Sequence, residues 1–292
     1  MDKKIMLLKP GNKNMFFPYI ENVFEYYKHK NFLFRILNKM NSYYISLFYG
    51  VWKEKLNSYD VVILFDTGFN YNIPKYIKRK NPNIKVIFWY WNSIDEYLNR
   101  KMNYMVDKVI NNKYIDEIWT YNRYDAKKYE LKYNTQFYKK TVELENKEIV
   151  NDVLYLGRDK GREQEINNVI ELLKNKNLKA DVHIVKSSKD ILSYDSYLQL
   201  LSQSKCILDM SYIVPCGLSL RPLESIFYEK KLITNNTDIK NYDFYKPNNI
   251  FVLGEDNIDN LNDFINTSYE KVDSNIVDYY NYESWLNRFV EE

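Results

Sequence analysis

The sequence predicts an α/β protein built from two parallel-sheet domains, and three observations predict it. Short apolar runs that read as buried strands alternate with longer helical stretches in both halves of the chain, the pattern of strands joined by crossover helices. The 292 residues exceed the roughly 250 at which a single core tends to split, and a prior of about 150 residues per domain gives two. Between the halves, residues 139–151 are charged and irregular, which suits a boundary. Residues 1–140 then form a first domain and 151–280 a second. Residues 281–292 form a closing helix that can return to the first.

The elements follow in order. Lys4–Leu8 is a short strand, with Gly11, Asn12, Lys13 and Asn14 in the loop behind it. Residues 18–56 read as mainly helical, Asp60–Phe65 as a buried strand, Asn72–Lys80 as a helix and Ile84–Trp91 as a strand. Ile115–Thr120 is a short strand leading into a helix over Asn122–Lys132. The second half repeats this grammar with strands at Val153–Leu156, Ala180–Val185, Cys206–Met210, Leu232–Thr234 and Ile250–Val252. Helices are expected over Glu163–Lys174, Tyr194–Ser204, Leu220–Glu229, Ile258–Tyr269 and Asn281–Val290. No internal repeat or low-complexity tract is visible.

Two strand-to-helix junctions in the second half carry chemistry. At Pro215-Cys216-Gly217-Leu218-Ser219-Leu220-Arg221-Pro222-Leu223-Glu224, Gly217 lets a backbone approach a ligand closely, Ser219 is a good N-cap and Pro222 is tolerated only in a first helical turn. The helix therefore starts near Leu220, and its unpaired N–H groups suit a phosphate. Upstream, a strand ends at Gly157 and runs into Arg158, Asp159, Lys160, Gly161 and Arg162 before the next helix. Ligands of open α/β sheets bind outside the carboxyl ends of strands, where these cations stand. The plain alternatives are a well-capped helix and a solvated charged loop.

With both junctions in view, the chain resembles glycosyltransferases of the GT-B fold, in particular bacterial enzymes of capsule, surface polysaccharide and lipopolysaccharide assembly. Leu156-Gly157-Arg158-Asp-Lys-Gly161, Gly217-Leu-Ser-Leu-Arg221-Pro-Leu-Glu224 and Lys230-Lys-Leu-Ile-Thr-Asn235 carry the resemblance, which covers the second half well and the first only in the order of its elements. It implies two Rossmann-like domains facing each other across a cleft, the first binding an acceptor and the second a nucleoside-diphosphate sugar, a UDP- or GDP-sugar. It also implies that Arg158, with Lys160 or Arg162, and Gly217, Leu218 and Ser219 hold the donor diphosphate, that Gly157 and Arg221 belong to the same donor site, that Arg158 is important for turnover, and that Glu224 holds the ribose. Many retaining members place a second glutamate eight positions before the helix glutamate; here that position is Cys216. A thiol is a poor substitute for a carboxylate accepting sugar hydroxyls.

No Asp-x-Asp occurs in the sequence, so the motif by which transferases of another fold hold a donor through a divalent cation is missing. Arginines, lysines and a helix N-terminus would then neutralise the leaving diphosphate, with no metal or other cofactor. In the first half, Asp66 follows the strand Val-Val-Ile-Leu-Phe and precedes Thr67-Gly68; it is a candidate general base for an acceptor hydroxyl, or else an N-cap or loop acceptor. Tyr90 and Asn92 are candidates for acceptor contact, whereas Trp89 and Trp91 read as packing. His29 and His183, the only histidines, read as structural, which argues against a His-based metal site or triad.

Composition bounds the partners. A net charge of +3 and a pI near 8.4 do not indicate nucleic acid. Cys206 and Cys216 offer no disulfide framework and are expected as free thiols of a reducing cytoplasm. The 29 tyrosines and the restriction of alanine to Ala126 and Ala180 read as a codon bias without functional meaning. The first residues have too short an apolar core for a signal peptide, and no run approaches the roughly 20 residues of a membrane span, so a cytoplasmic protein is expected. Residues 28–56 mix Lys28, Lys30, Arg35, Lys39, Lys53 and Lys55, against Glu54 alone, with many aromatic and aliphatic residues. Such a face can lie on the anionic inner surface of a plasma membrane, where lipid-linked glycan acceptors are met, or face a core with snorkelling lysines. Besides a transferase, a sugar-nucleotide epimerase or hydrolase of the same fold and a non-catalytic binding subunit fit these features.

Overall fold

The computed structural model describes residues 3–9, 20–99, 101–211 and 217–291. The expected loop at Gly11, Asn12, Lys13 and Asn14 lies outside the described residues, as do Pro215 and Cys216. The chain divides into two units, Met1–Thr135 with Leu286–Glu292, and Gln136–Trp285.

In the first unit six strands form one sheet: β1 (Ile5–Lys9), β2 (Val23–Glu25), β3 (Val61–Phe65), β4 (Lys85–Tyr90), β5 (Glu117–Thr120) and β6 (Lys132–Tyr133), in the order β2-β1-β3-β4-β5-β6. Every pairing is parallel, with Leu7 opposite Ile63 and Ile63 opposite Ile87. All five residues of β1 and of β3 are buried, as expected of strands covered on both faces. Among the described residues six helices accompany the sheet: α1 (Phe32–Lys39), α2 (Trp52–Lys55), α3 (Asn72–Lys80), α4 (Ile94–Asn99), α5 (Asn103–Ile110) and α6 (Arg123–Lys128). The mainly helical reading of 18–56 is corrected at β2, a three-residue edge strand too short to show alternation, and at the 3-10 stretch Tyr43–Phe48. The last residues complete this unit: the Phe289 ring packs edge-on to Trp119 at 4.9 Å and Trp89 at 5.6 Å, and the Arg288 guanidinium donates to Asn134 and Thr135.

Among the described residues the second unit has five strands, β7 (Asn151–Arg158), β8 (Ala180–Val185), β9 (Ser204–Asp209), β10 (Lys231–Thr234) and β11 (Ile250–Val252), again all parallel, in the order β11-β10-β9-β7-β8. Its helices are α7 (Glu163–Asn175), α8 (Tyr194–Ser202), α9 (Leu220–Phe227), α10 (Leu261–Asn266), α11 (Ser274–Tyr279) and α12 (Tyr282–Asn287), the last running into the segment that belongs to the first unit. Strand alternation divides the core. Leu154, Ile207, Leu232 and Ile250 pack on one face, while Val153, Cys206, Leu208, Ile233 and Phe251 pack on the other.

The two sheets share one wiring: the second strand lies on one side of the first, and the third lies on the other. The order in which strands are added therefore reverses between β1 and β3 and between β7 and β9. The carboxyl ends of those pairs open the crevices in which doubly wound sheets bind ligands.

Candidate functional site

The crevice of the second unit opens at the ends of β7 and β9, and the predicted glycine–arginine loop forms its first wall. After Arg158 the chain turns through two left-handed residues, Lys160 at φ 48° and Gly161 at φ 81°, so glycine answers a backbone need at 161. The Asp159 carboxylate then accepts from Glu163 N–H at 2.9 Å and caps α7. The three predicted cations part company here. Arg158 is exposed, and its guanidinium has no hydrogen-bond or ion-pair partner among the described residues; Lys160 is exposed beside it. Arg162 instead donates to the carbonyls of Asp159 (3.2 Å), Arg158 (2.6 Å) and Met210. It ties the β7 loop to the end of β9.

Asp209, which the sequence reading did not single out, stands at the centre of the other wall. It ends β9 almost completely buried, accepting from the Ser219 hydroxyl at 2.8 Å on Oδ1 and the Thr234 hydroxyl at 3.3 Å on Oδ2. Burial pushes its carboxyl above the ordinary range, against the pull of Ser219, Arg221, Thr234 and Arg162. Ser219 in turn accepts from Arg221 N–H at 3.2 Å as the N-cap of α9, so Asp209 pins the start of that helix to the ends of β9 and β10. Gly217 and Leu218 are buried just before it. Asn235, after β10, brackets Ser211 from both sides, accepting from its N–H at 2.7 Å and donating to its carbonyl at 3.2 Å.

Glu224 and Arg221 meet each other rather than open space. Glu224 has no exposed surface; Arg221 and the Tyr197 hydroxyl (2.8 Å) donate to Oε2, and the Tyr194 hydroxyl (3.2 Å) donates to Oε1. The Arg221 guanidinium also donates to the Leu156 carbonyl at 3.0 Å and stacks 4.3 Å above the Tyr197 ring. Beyond Tyr194 the cluster continues to the hydroxyls of Tyr138 and Tyr228. Tyr194 and Tyr197 are one helical turn apart in Tyr-Asp-Ser-Tyr, the one local signal by which the sequence could have disclosed them.

A further hydroxyl lies beneath Gly157. Tyr155, two residues earlier on the same face of β7, is buried, and its phenolic oxygen has no partner among the described residues. It lies 2.6 Å from where a Cβ on Gly157 would stand, which is why residue 157 has no side chain.

In the first unit Asp66 closes β3 at the equivalent crevice. It is buried, with Oδ1 accepting from Thr67 (3.0 Å) and Oδ2 from the N–H (2.9 Å) and side-chain amide (3.1 Å) of Asn92. Burial raises its carboxyl pKa, and the donors at Asn92, Tyr97 and Thr67 oppose the rise. Lys9, the last residue of neighbouring β1, is also buried, and burial lowers its pKa. Asn92 thus positions Asp66, while Tyr90 packs between Phe88 and Tyr97 in the core. Trp89 packs against Phe289 and Trp91 against Phe65. His29 is exposed, and His183 lies on β8 with Nε2 3.0 Å from Asp181. Among the described residues, no three His, Cys, Asp or Glu side chains gather as a metal site. Nor is any helix among them long and apolar enough to cross a membrane.

No protein-family model matches the sequence, and neither does any curated protein. Solved structures do match. Anabaena Alr3699/HepE, crystallised in complex with UDP and glucose, aligns over 99% of this chain and 98% of its own with a TM-score of 0.52 at 10% identity. TarM aligns over 79% of this chain at 11% identity with a TM-score of 0.43, and the match spans only 54% of TarM's own length. At such identities the likeness is one of architecture. Two parallel-sheet, Rossmann-like units of common wiring, matched from end to end, make this a GT-B-like fold.

Proposed function

We propose that this protein is a glycosyltransferase that moves a sugar from a nucleoside diphosphate, a UDP- or GDP-sugar, to a hydroxyl of a glycan or lipid-linked acceptor. The observation that carries the proposal is the end-to-end fold likeness to a protein crystallised with UDP and glucose. The crevice between β7 and β9 supports it. An unpaired, exposed arginine, a loop with two left-handed residues and the start of α9 converge on one sheet edge, a combination suited to an anionic group.

In this reading Arg158 and Lys160 meet the donor diphosphate, as do the N–H groups from Gly217 through Leu218 to the N-cap Ser219. Arg162 and Gly157 shape the loop. Glu224 takes the ribose hydroxyls when Tyr194 turns away from Oε1, and Arg221 keeps the carboxylate oriented. The acceptor oxygen attacks the anomeric carbon, the bond from that carbon to the diphosphate oxygen breaks, and the diphosphate keeps the electron pair. Asp66 receives the acceptor's proton; its burial makes it a better base than a solvated carboxylate. The absence of an Asp-x-Asp sequence fits neutralisation of the leaving group by these cations and amides without a metal. The acceptor would be a bacterial surface glycan such as capsule or lipopolysaccharide, and the site of action the cytoplasmic side of the plasma membrane.

One observation favours a second reading, a nucleotide-binding subunit without transferase activity. Both oxygens of Glu224 are already engaged by protein donors. Thermal shift against UDP, GDP, CMP, ADP and dTDP, with and without EDTA, tests both. Binding at 100 times the dissociation constant stabilises by about 2.7 kcal/mol. A selective, EDTA-insensitive shift that is lost in Arg158→Ala, together with sugar transfer to cell-derived acceptors, supports the transferase. A shift without transfer supports the binding subunit, and no shift with any nucleotide overturns the donor site.

A further inference from the structure

The helix α1 presents apolar side chains to the outside. Of its residues Phe34 alone is buried, and the neighbouring anchors in the core of the first unit are Ile45, Tyr49 and Trp52. Phe32 (76% exposed), Leu33, Ile36, Met40 (71%), Tyr44 (71%) and Leu47 (71%) are exposed, with Val51 beyond them. Scattered apolar residues on a surface need no explanation. Here seven of the fourteen large apolar side chains exposed among the described residues fall between positions 32 and 51, on α1, its C-cap Met40, the adjoining Tyr43–Phe48 stretch and Val51 just after it. Such a concentration marks an interaction surface. It also removes the core-facing reading for these side chains.

The arrangement of charge selects the partner. At about 100° per residue, Phe32, Ile36, Met40 and Leu33 fall within an arc of roughly 100° on α1, and Arg35 and Lys39 lie along one border of it. Lys28 and Lys30 are exposed just before the helix. The acidic residue of the segment, Glu54, is answered by Lys28 at 3.6 Å. An apolar arc bordered by cations is the pattern of a helix lying in the plane of a bilayer, with its apolar face in the headgroup region and its cations among anionic lipids. Two copies of the chain meeting face to face through this surface would instead bring like charges together.

We propose that α1 and the Tyr43–Phe48 stretch form a membrane-docking face that seats the first unit on an anionic lipid surface. The proposal rests on exposure and charge in the first unit, and holds whether or not the donor reading does.

Flotation of the purified full chain with phosphatidylcholine vesicles, with and without an equal part of phosphatidylglycerol, tests it. The expected result is binding to the anionic vesicles, little to the neutral ones, and weakening as salt rises. Phe32→Ser/Met40→Ser/Leu47→Ser should reduce anionic binding by about tenfold or more, because binding scales with buried apolar area. Arg35→Glu/Lys39→Glu should reduce it independently. Both variants should melt with the unaltered protein, since their side chains stand in solvent. Failure of the unaltered protein to float with anionic vesicles, or equal flotation of both variants, overturns the proposal. Concentration-dependent dimerisation abolished by the triple serine variant, without vesicle binding, also overturns it and assigns the face to a second copy.

Discussion

Replacing Arg221 by methionine tests the buried cluster around Glu224 most directly. The change removes the guanidinium that bonds Glu224 Oε2, donates to the Leu156 carbonyl at 3.0 Å and stacks on Tyr197. Glu224 then remains fully buried with only the two tyrosine hydroxyls for compensation. Breaking a buried ion pair from one side costs about 3–5 kcal/mol, because the remaining charge is desolvated and unpaired. At roughly 2–4 °C per kcal/mol for a unit of this size, the second unit should melt about 6–20 °C lower. Arg221→Met/Glu224→Leu removes both charges and should recover most of the loss, short of about 1–3 kcal/mol for the Tyr197 hydroxyl left without Glu224 and the Leu156 carbonyl left without Arg221. Calorimetry supplies the melting temperatures, and hydrogen exchange at Leu223 and Ile226 assigns the transition to this unit. A single variant that loses less than about 1 kcal/mol, or a double variant no better than the single, would refute the reasoning.

Two further outcomes are expected. Gly157→Ala places a Cβ 2.6 Å from the Tyr155 hydroxyl and 3.0 Å from its ring carbon, so it should cost about 1–3 kcal/mol in urea denaturation, and Tyr155→Phe should restore part of that by removing the oxygen. A double variant as unstable as Gly157→Ala would place the strain elsewhere. At Asp66 the folded-state carboxyl titrates above its unfolded value, so its contribution to stability is fully present at pH below the unfolded pKa and is lost as pH rises through the folded one. Asp66→Asn should abolish that pH dependence in thermal melts. If Asp66 is the base, the variant should also lower kcat by about 100-fold or more and remove an acid limb of kcat/KM lying above the ordinary carboxylate range. An unchanged pH–rate profile in Asp66→Asn removes it from the reaction.

What the sequence disclosed follows the range of the forces involved. Asn72–Lys80, Ala180–Val185 and Ile250–Val252 occupy the expected residues, because apolar periodicity and strong flanking signals are local. The Ser219 cap of α9 was legible for the same reason. By contrast β2, α4, α5 and α11 are short and owe their form to the sheet or core they rest on, so propensity gave no sign of them. At the crevice, the bond from Arg162 to Met210 spans 48 residues and that from Tyr194 to Glu224 spans 30. Such contacts exist only once β7 and β9 lie side by side. Residue type therefore marked Arg162 and Glu224 as notable, but not that one is spent on carbonyls and the other on phenols.

The return of the last residues to the first unit has a consequence during synthesis. The second unit is continuous and can fold once Trp285 has emerged, whereas the first lacks Arg288 and Phe289 until the ribosome has added about 150 residues beyond Thr135. At roughly 5–20 residues per second, this leaves the Trp89 and Trp119 faces uncovered for about eight to thirty seconds. Of the two units, the one made earlier is finished later, and until then its aromatic surface stays open to other chains.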